Sequence, residues 1–497
     1  MSVKSEKGDN EISVQTVDAG AAHGSHDLSA VKHGDDVLLA QLGYKSEFKR
    51  EFSILELIAF SFSIMGVVAS VTSTFSFVLV SGGHVGMVFG WLIPCLFVLP
   101  VAASMAELAS SMPTSAGLYY FAAKMAPPKY AALASWITGW ANITGQVTLV
   151  CSIDFTCAQM ITTAIAVNTE GAVVMSAVGT TVAAIIALLV CSGDHKASTK
   201  DAFTLFENNS GWTNNGWAFL LAFTAPMWTL TGYDSAAHVS EESAGASRAA
   251  PLAILIGVAG TAGLGWILLI AASFATTSVS DLLTTALPLP MGQLFLNTLG
   301  KKGMLTLWSF IIVVQYVTGA AQGVDASRVI FAFARDNALP GSRWWKQINS
   351  HTQTPIHAVW FVMVGAAICG LLGFSNAALS SLAGAAVIGL YVSYALPILL
   401  RITSGRDKLV PGPFSLGKWY LPIGAVAVAW VMFIIVLLLF PSFQTVTPQD
   451  MNYAVVIIMA VFLFAAVSWM VSARKWFIGP VRTTEEAGSP SCNSKVM

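Results

Sequence analysis

Charge is what this chain lacks most. Of its 497 residues only 10% are Asp, Glu, Lys or Arg, against 55% apolar types. A soluble domain carries about 25% charged residues. With mean hydropathy at +0.69, soluble domains, wholesale disorder and a secreted disulfide scaffold are excluded. Cysteine is equally thin: Cys95, Cys151, Cys157, Cys191 and Cys369 stand singly in apolar runs and Cys492 in the tail. No CxxC or Cys/His spacing occurs, which excludes the usual zinc and dithiol frameworks. HExxH, GxSxG, the P-loop and the Gly-rich dinucleotide turn are missing too. The eight histidines do not cluster in an apolar run. Lys+Arg (25) balances Asp+Glu (26), so no basic surface for nucleic acid is indicated. The composition gives no support to an enzyme and none to a cofactor or a metal.

What the chain has is long apolar runs, at 53–80, 85–110, 131–166, 171–191, 217–240, 251–276, 304–334, 356–374, 378–400, 420–440 and 452–473. At 1.5 Å rise per residue most can cross a hydrocarbon core of about 30 Å as helices, whereas barrel strands need only about 10 alternating residues. The fold class is therefore an all-α polytopic membrane protein with about 11 transmembrane helices. Residues 1–51 are polar, with 6 Lys/Arg, 9 Asp/Glu and 3 His. They are expected to form a disordered cytosolic tail, and the absence of an apolar core after a basic start argues against a cleaved signal peptide. The membrane domain is placed at 52–473 and a cytosolic C-terminal tail at 474–497.

Basic loops set the orientation. Lys124 and Lys129, Arg248, the group Arg335, Arg343 and Lys346, and the group Arg401, Arg406, Lys408 and Lys418 mark cytosolic loops, with Arg474, Lys475, Arg482 and Lys495 in the tail. Counted from the N-terminus, three spans put 167–170 outside. Counted back from the C-terminus, 193–216 is outside as well. Only the run 171–191 lies between these two points, so the count fails by one crossing. Asn208-Asn209-Ser210 is a glycosylation sequon that suits an outside loop, although Asn142-Ile143-Thr144 matches inside a run.

Two runs look breakable: Ser61-Phe-Ser-Ile-Met-Gly66-Val-Val-Ala-Ser70 and Pro226-Met-Trp-Thr-Leu-Thr-Gly232-Tyr-Asp234. Gly and Pro weaken helices, and hydroxyl residues can satisfy the backbone groups they free. Broken helices at the midplane offer amides and carbonyls to a solute; Gly and Pro also serve plain helix packing. Gly82, Gly86 and Gly90 form a GxxxGxxxG row, read as close packing. The ionisable groups in or beside the runs are Glu56, Glu107, Asp154, Asp234, Asp325 and Arg328. Charge in lipid is costly, so each should face protein or water. Asp325 and Arg328, three apart, are expected to pair as a structural latch. Glu107 is an interfacial or gating residue. Asn142, Gln146 and Asp154 form one polar arc, Gln315, Thr318 and Gln322 another; each can line a cavity or join helices. Trp91, Trp136, Trp140, Tyr391 and Tyr394 read as packing or interface aromatics.

Several of these stretches resemble one family. Pro113-Thr-Ser-Ala-Gly-Leu-Tyr-Tyr120 after Ala106-Glu107-Leu108 is similar to the signature of the amino acid–polyamine–organocation superfamily. Thr231-Gly-Tyr-Asp-Ser-Ala-Ala-His-Val-Ser-Glu-Glu242 resembles the sixth-helix motif of its fungal amino acid, γ-aminobutyrate (GABA) and choline branch. Ser327-Arg-Val-Ile-Phe-Ala-Phe-Ala-Arg-Asp-Asn-Ala-Leu-Pro340 resembles that branch's eighth helix, and Trp212-Thr-Asn-Asn-Gly-Trp-Ala-Phe219 is also typical of it. The resemblance covers about 50–475. It implies a leucine-transporter-like fold of five-plus-five inverted repeats, twelve helices in the family, with the first and sixth broken. It implies a secondary-active permease for amino acids or related small amines, coupled to protons and working by alternating access. The substrate would meet Ser63, Met65, Gly66, Val67, Trp228, Thr231, Gly232 and Tyr233. Glu107, Asp234, Asp325 and Arg328 would gate or support the site. Relatives in the wider superfamily place a coupling lysine in the fifth helix; the run 171–191 has none. The run Val178–Ala187 looks like that fifth helix, which leaves the family's fourth missing near 168–178. Partners are then a small-molecule substrate and the bilayer, in the plasma membrane. The alternatives are a choline or polyamine permease, a non-transporting nutrient sensor, and an inactive truncated isoform.

Overall fold

The computed structural model describes residues 25–45, 47–167, 177–193, 196–352, 354–374, 378–447 and 451–481. Helices α1 (Ser25–Leu42), α2 (Ile54–Met65), α3 (Val67–Ser111), α4 (Gly117–Met125), α5 (Ala131–Val167) and α6 (Ala177–Cys191) form the first half. The short α7 (Thr199–Thr204), α8 (Asn215–Leu221), α9 (Thr224–Thr229) and α10 (Ser235–His238) follow. Then come α11 (Ala246–Ala275), α12 (Val279–Leu283), α13 (Pro290–Arg335) and α14 (Ser342–Trp345). The last four are α15 (Ile356–Gly370), α16 (Ala378–Ile402), α17 (Tyr420–Leu438) and α18 (Ala454–Val471). All eleven apolar runs are helical over most of their described length. Among the described residues no strand forms beyond an isolated bridge between Phe52 and Ser243.

Local chemistry sets the breaks. The Ser53 hydroxyl accepts from the Glu56 amide and the Glu56 carboxylate accepts from the Ser53 amide at 2.7 Å, a capping box that starts α2. Gly66, at φ +42°, ends it. α3 is two helices joined at Gly82–Gly83, where Gly83 has φ +54°. A Cβ on Gly86 would lie 2.5 Å from the Val78 carbonyl oxygen, and one on Gly90 3.0 Å from the Ala222 Cβ, so the glycine row serves close approach. The eighth-helix run begins after a similar break at Gly300 within α13.

The bundle core is α5, which packs along α13 and α16, while α11 lies along α2 and α3. Apolar side chains on the outer faces of α17 and α18 stay exposed, Met432, Val436, Met459, Leu463 and Met470 among them. A soluble monomer seldom leaves such a surface to water; a bilayer covers it.

Two faces of the bundle can be told apart by what meets there. On one, Asp336 takes hydrogen bonds from Tyr44 and Tyr119 and from the amide of Val481, so both ends of the described chain share it. On the other, the turn between the two halves of α3 bonds to the 205–209 stretch (Val85 to Leu205, Asn209 to Val80), and Ala197 bonds to Phe274 at the end of α11. The end of α5 belongs to this second face, where the Trp308 indole donates to the Met160 carbonyl. So does the far end of α6, which leads to Lys196 and Ala197. One helix therefore separates two points on the same face. Of the expected junction at 168–178, positions 168–176 lie outside the described residues.

One expectation needs correction. Residues 25–51 do not behave as a free tail: α1 and the stretch after it pack on the termini-bearing face. Arg50 pairs with Asp36 at 2.8 Å and donates to the Ser243 carbonyl; Asp35 accepts from the Gly245 amide at 2.7 Å. Phe52 exchanges backbone bonds with Glu242 and Ala244. Burial pushes the Asp35 carboxyl above its ordinary range despite Arg50. Low hydrophobicity alone predicts disorder here, but partners on the loop after α10 supply the order.

Candidate functional site

Gly66 and Gly232 lie in facing helix breaks. Gly232 has φ +85° between α9 and α10, a left-handed conformation that costs other residues about 1–2 kcal/mol. Space is as short as freedom. A Cβ on Gly66 would stand 2.5 Å from the Thr318 hydroxyl oxygen, which is itself bonded to the Ser63 carbonyl at 2.8 Å. A Cβ on Gly232 would stand 2.6 Å from the Ile64 Cγ2 and 3.1 Å from the Gln322 Oε1. The two breaks thus share one wall with α13.

The other expected binding residues gather here. Met65 and Val67 flank the first break and are buried; the Met65 carbonyl accepts from Ser70 at 2.7 Å. In the second, the Trp228 indole donates to Ser152 of α5 at 3.1 Å, the Thr231 hydroxyl donates to the Met227 and Trp228 carbonyls, and Tyr233 is fully buried against Tyr394. The Leu230 carbonyl accepts from Tyr391 at 3.2 Å. Helix-free backbone is tolerated at this depth because Tyr391 of α16 and the Thr231 hydroxyl satisfy its carbonyls.

The polar arcs meet behind the breaks. Gln322 donates to Gln146, which donates to Asp325 at 2.8 Å; Gln315 bonds to Thr156 at 2.6 Å and to the Ile153 carbonyl. Asn142 joins Asp234 (3.4 Å) and Ser393. Asp234 also accepts from Tyr394 at 2.6 Å and meets the His238 Nε2 at 3.1 Å. Asp154 does not join its arc: it is exposed on α5.

The supporting residues divide. Glu107 accepts from the Leu416 amide at 3.1 Å and lies 3.6 Å from Arg401, so it fastens the loop after α16. The expected Asp325–Arg328 latch is not formed. Arg328 reaches Glu242 with a two-point contact at 2.6 and 3.2 Å, and Asp325 turns inward to Gln146. A long guanidinium reaches a fork-shaped partner on the next element, whereas the shorter Asp325 stays with the amides of the core. Sequence reading missed His238, Tyr394 and the Glu241–Arg335 pair at 3.2 Å. His238 carried a signal, since it stands four residues after Asp234.

Above this centre, about ten residues or some 15 Å of helix beyond Gly66, a cavity of about 210 Å³ opens among Ser76, Phe77, Gln159, Leu289, Ser380 and Phe443. Below it, toward the termini, Arg328–Glu242 and Arg335–Glu241 close the bundle. The cavity and the ion pairs thus lie on opposite sides of the breaks. Gly66→Leu or Gly232→Leu, by strain plus an overpacking cost of about 1–3 kcal/mol, is expected to abolish solute binding. The check is ligand-induced stabilisation of purified protein; ordinary binding in both variants would remove the breaks from the site.

The comparisons agree with this architecture. The amino acid permease family model matches residues 52–202 and again 171–462, so 171–202 is matched twice. An uncharacterized amino-acid permease of Schizosaccharomyces pombe is 37% identical over 90% of this chain and 90% of its own. An amino-acid permease of Arabidopsis thaliana is 34% identical over 92% and 98%, and the GABA-specific permease of Saccharomyces cerevisiae 35% over 93% and 88%. These alignments run over 490, 510 and 505 positions against a 497-residue chain, so about 40 to 55 positions in each have no counterpart here. The match reaches from the first break through the second to the last helices, and on it the chain belongs to the amino acid permease family.

Proposed function

We propose that this chain is a secondary-active permease for amino acids or related small amines such as GABA, working by alternating access. One observation carries the reading: two helix breaks face each other at a buried polar centre, with a cavity toward one face and ion pairs toward the other. Carbonyls and amides outside the helix ladder at such breaks suit the ammonium and carboxylate of a zwitterion. The basic loops 335–355 and 401–419 lie with the termini, which supports a cytosolic termini-bearing face and a cavity on the outer side. The plasma membrane is the location this reading assigns.

The test is binding and uptake by purified protein. Small amino acids and GABA are expected to raise the melting temperature; at a hundred times Kd the stabilisation is about 2.7 kcal/mol. Saturable uptake into liposomes, competed by GABA, is expected wherever the bundle is complete. Stabilisation by choline or a polyamine alone would replace the substrate class. Binding with no uptake by a complete bundle would make the protein a sensor.

A further inference from the structure

Asp234 and His238 on the second break and Asp325 on α13 are the ionisable groups of the buried centre, each 2% exposed or less. Two carboxylates and one ring interact electrostatically there. The ring's two nitrogens set a proton count. Nε2 faces the Asp234 carboxylate at 3.1 Å, and Nδ1 faces the Ser115 carbonyl at 3.3 Å. A carbonyl only accepts, so Nδ1 must carry hydrogen, and the Nε2–Asp234 contact needs a second. A neutral ring beside an ionised Asp234 supplies just one. The observed arrangement therefore holds one exchangeable proton more than the separate neutral ring and carboxylate.

The neighbourhood is short of donors as well. Asp325 Oδ1, Gln322 Oε1 and Asn142 Oδ1 are buried without a partner. The groups facing the cluster are Asn142 and Gln146 of α5, Tyr233 of the second break, Gln322 and Arg328 of α13, Tyr391, Ser393 and Tyr394 of α16, and Ser115. Arg328 is the one cation among them, and Glu242 takes its charge. Gly117, at φ +51°, lets the ring sit where a Cβ would come within 2.8 Å of Nδ1.

We propose that Asp234, His238 and Asp325 form the site that binds and releases a proton in the transport cycle. This rests on the permease reading above. Loaded, His238 is an imidazolium held between Asp234 and Ser115, with Asp325 nearby. When one proton leaves the ring, the stronger acceptor Asp234 keeps the Nε2 hydrogen. Nδ1 then presents a lone pair to the Ser115 carbonyl, and that contact turns repulsive. Ser115 also donates its amide to Glu241 at 3.0 Å, inside the seal on the termini face. Deprotonation thus loosens the turn that closes that face, and the proton and the gate are linked through one residue.

The test is ¹⁵N-histidine NMR of the purified full chain, with His238→Gln assigning the resonance. The expected result is an imidazolium signal that turns neutral as pH rises between about 5 and 8. In Asp325→Asn the change should come at lower pH, because a negative neighbour of the cation is gone. A ring that stays neutral across that range overturns the proposal whether or not the chain transports. In liposomes, stimulation of uptake by an inward acid gradient should be lost in His238→Gln and Asp325→Asn. Substrate exchange by the chain restored to a complete bundle, with uptake indifferent to the gradient, would overturn the proton site and leave the permease. An imidazolium signal with no substrate binding or exchange, even by the chain restored to a complete bundle, would uphold the site and overturn the permease reading.

Discussion

Arg335→Ala is expected to destabilise the protein by about 3–5 kcal/mol, the cost of leaving a buried partner charge alone. Arg335 donates to both carboxylate oxygens of Glu241 at 3.2 Å and to the Ser115 hydroxyl at 3.4 Å, and its guanidinium lies 4.1 Å from the centre of the Tyr44 ring. Glu241 is 1% exposed and also accepts from Thr114 and the Ser115 amide, each at 3.0 Å. Next to Arg335, Asp336 gathers Tyr44, Tyr119 and Val481. One pair of residues thus fastens the end of the second broken helix, the 113–117 turn, α13 and the N-terminal strap. Arg335→Ala with Glu241→Ala is expected to recover part of the loss, since no lone charge remains. A loss under about 1 kcal/mol in detergent melting of Arg335→Ala would mean that water solvates the pair, as it does an exposed one.

The same pair gives a pH dependence. Burial pushes the Glu241 carboxyl up, but Arg335 and the bonds from Arg335 and Ser115 outweigh it and hold the group below its ordinary 4.5. A depressed carboxylate contributes its stability above the unfolded value and loses it as pH falls through the folded one. The melting temperature should therefore hold above pH 4.5 and fall below it, with the fall blunted in the double variant.

The helices were legible because each carries its own signal: an apolar run, a capping box at Ser53–Glu56, a glycine at 66, 83 or 232. Partners were not, because a side chain's partner depends on which helix the fold sets beside it. Asp325 and Arg328 share a helix face, yet Gln146 and Glu242, 179 and 86 positions away, outcompete the neighbour. Tyr394 reads as an ordinary apolar-run aromatic until α16 is placed against the second break. His238 is one histidine among eight until its ring is seen between Ser115 and Asp234. The strap after residue 25 was hidden for the same reason: its partners lie on the 242–245 stretch.

The remaining large effect concerns the single crossing between α5 and α7. Val167 and Ala197 lie on the same face, and α6, the helix between them, spans about 22 Å at its rise per residue. Two points on one face need an even number of crossings. The described residues supply one, and 168–176 lie outside them. The relatives carry about 40 to 55 positions absent here, and the family match restarts within 171–202. A helix of about 20 residues with its loops accounts for such a deficit. Asp154 marks a place for it: a carboxylate on α5, exposed at the level of the core, beside exposed Ile161 and Ile165. A charge facing lipid is expensive, and a covering helix removes the cost. We propose that the family's fourth helix is deleted from this chain at the sequence level. The chain as it stands is expected to misinsert, to be retained and to transport little. Inserting the corresponding stretch of the Arabidopsis thaliana relative between Val167 and Ala177 is expected to raise surface expression and uptake at least tenfold, a change of about 1.4 kcal/mol or more in an equilibrium of correctly inserted protein. Cysteine labelling from either side of the membrane reads the same change directly, because Ser198→Cys should become accessible from outside in a uniform population only after the insertion. Uptake by the unaltered chain equal to that of the restored one would show instead that eleven helices suffice.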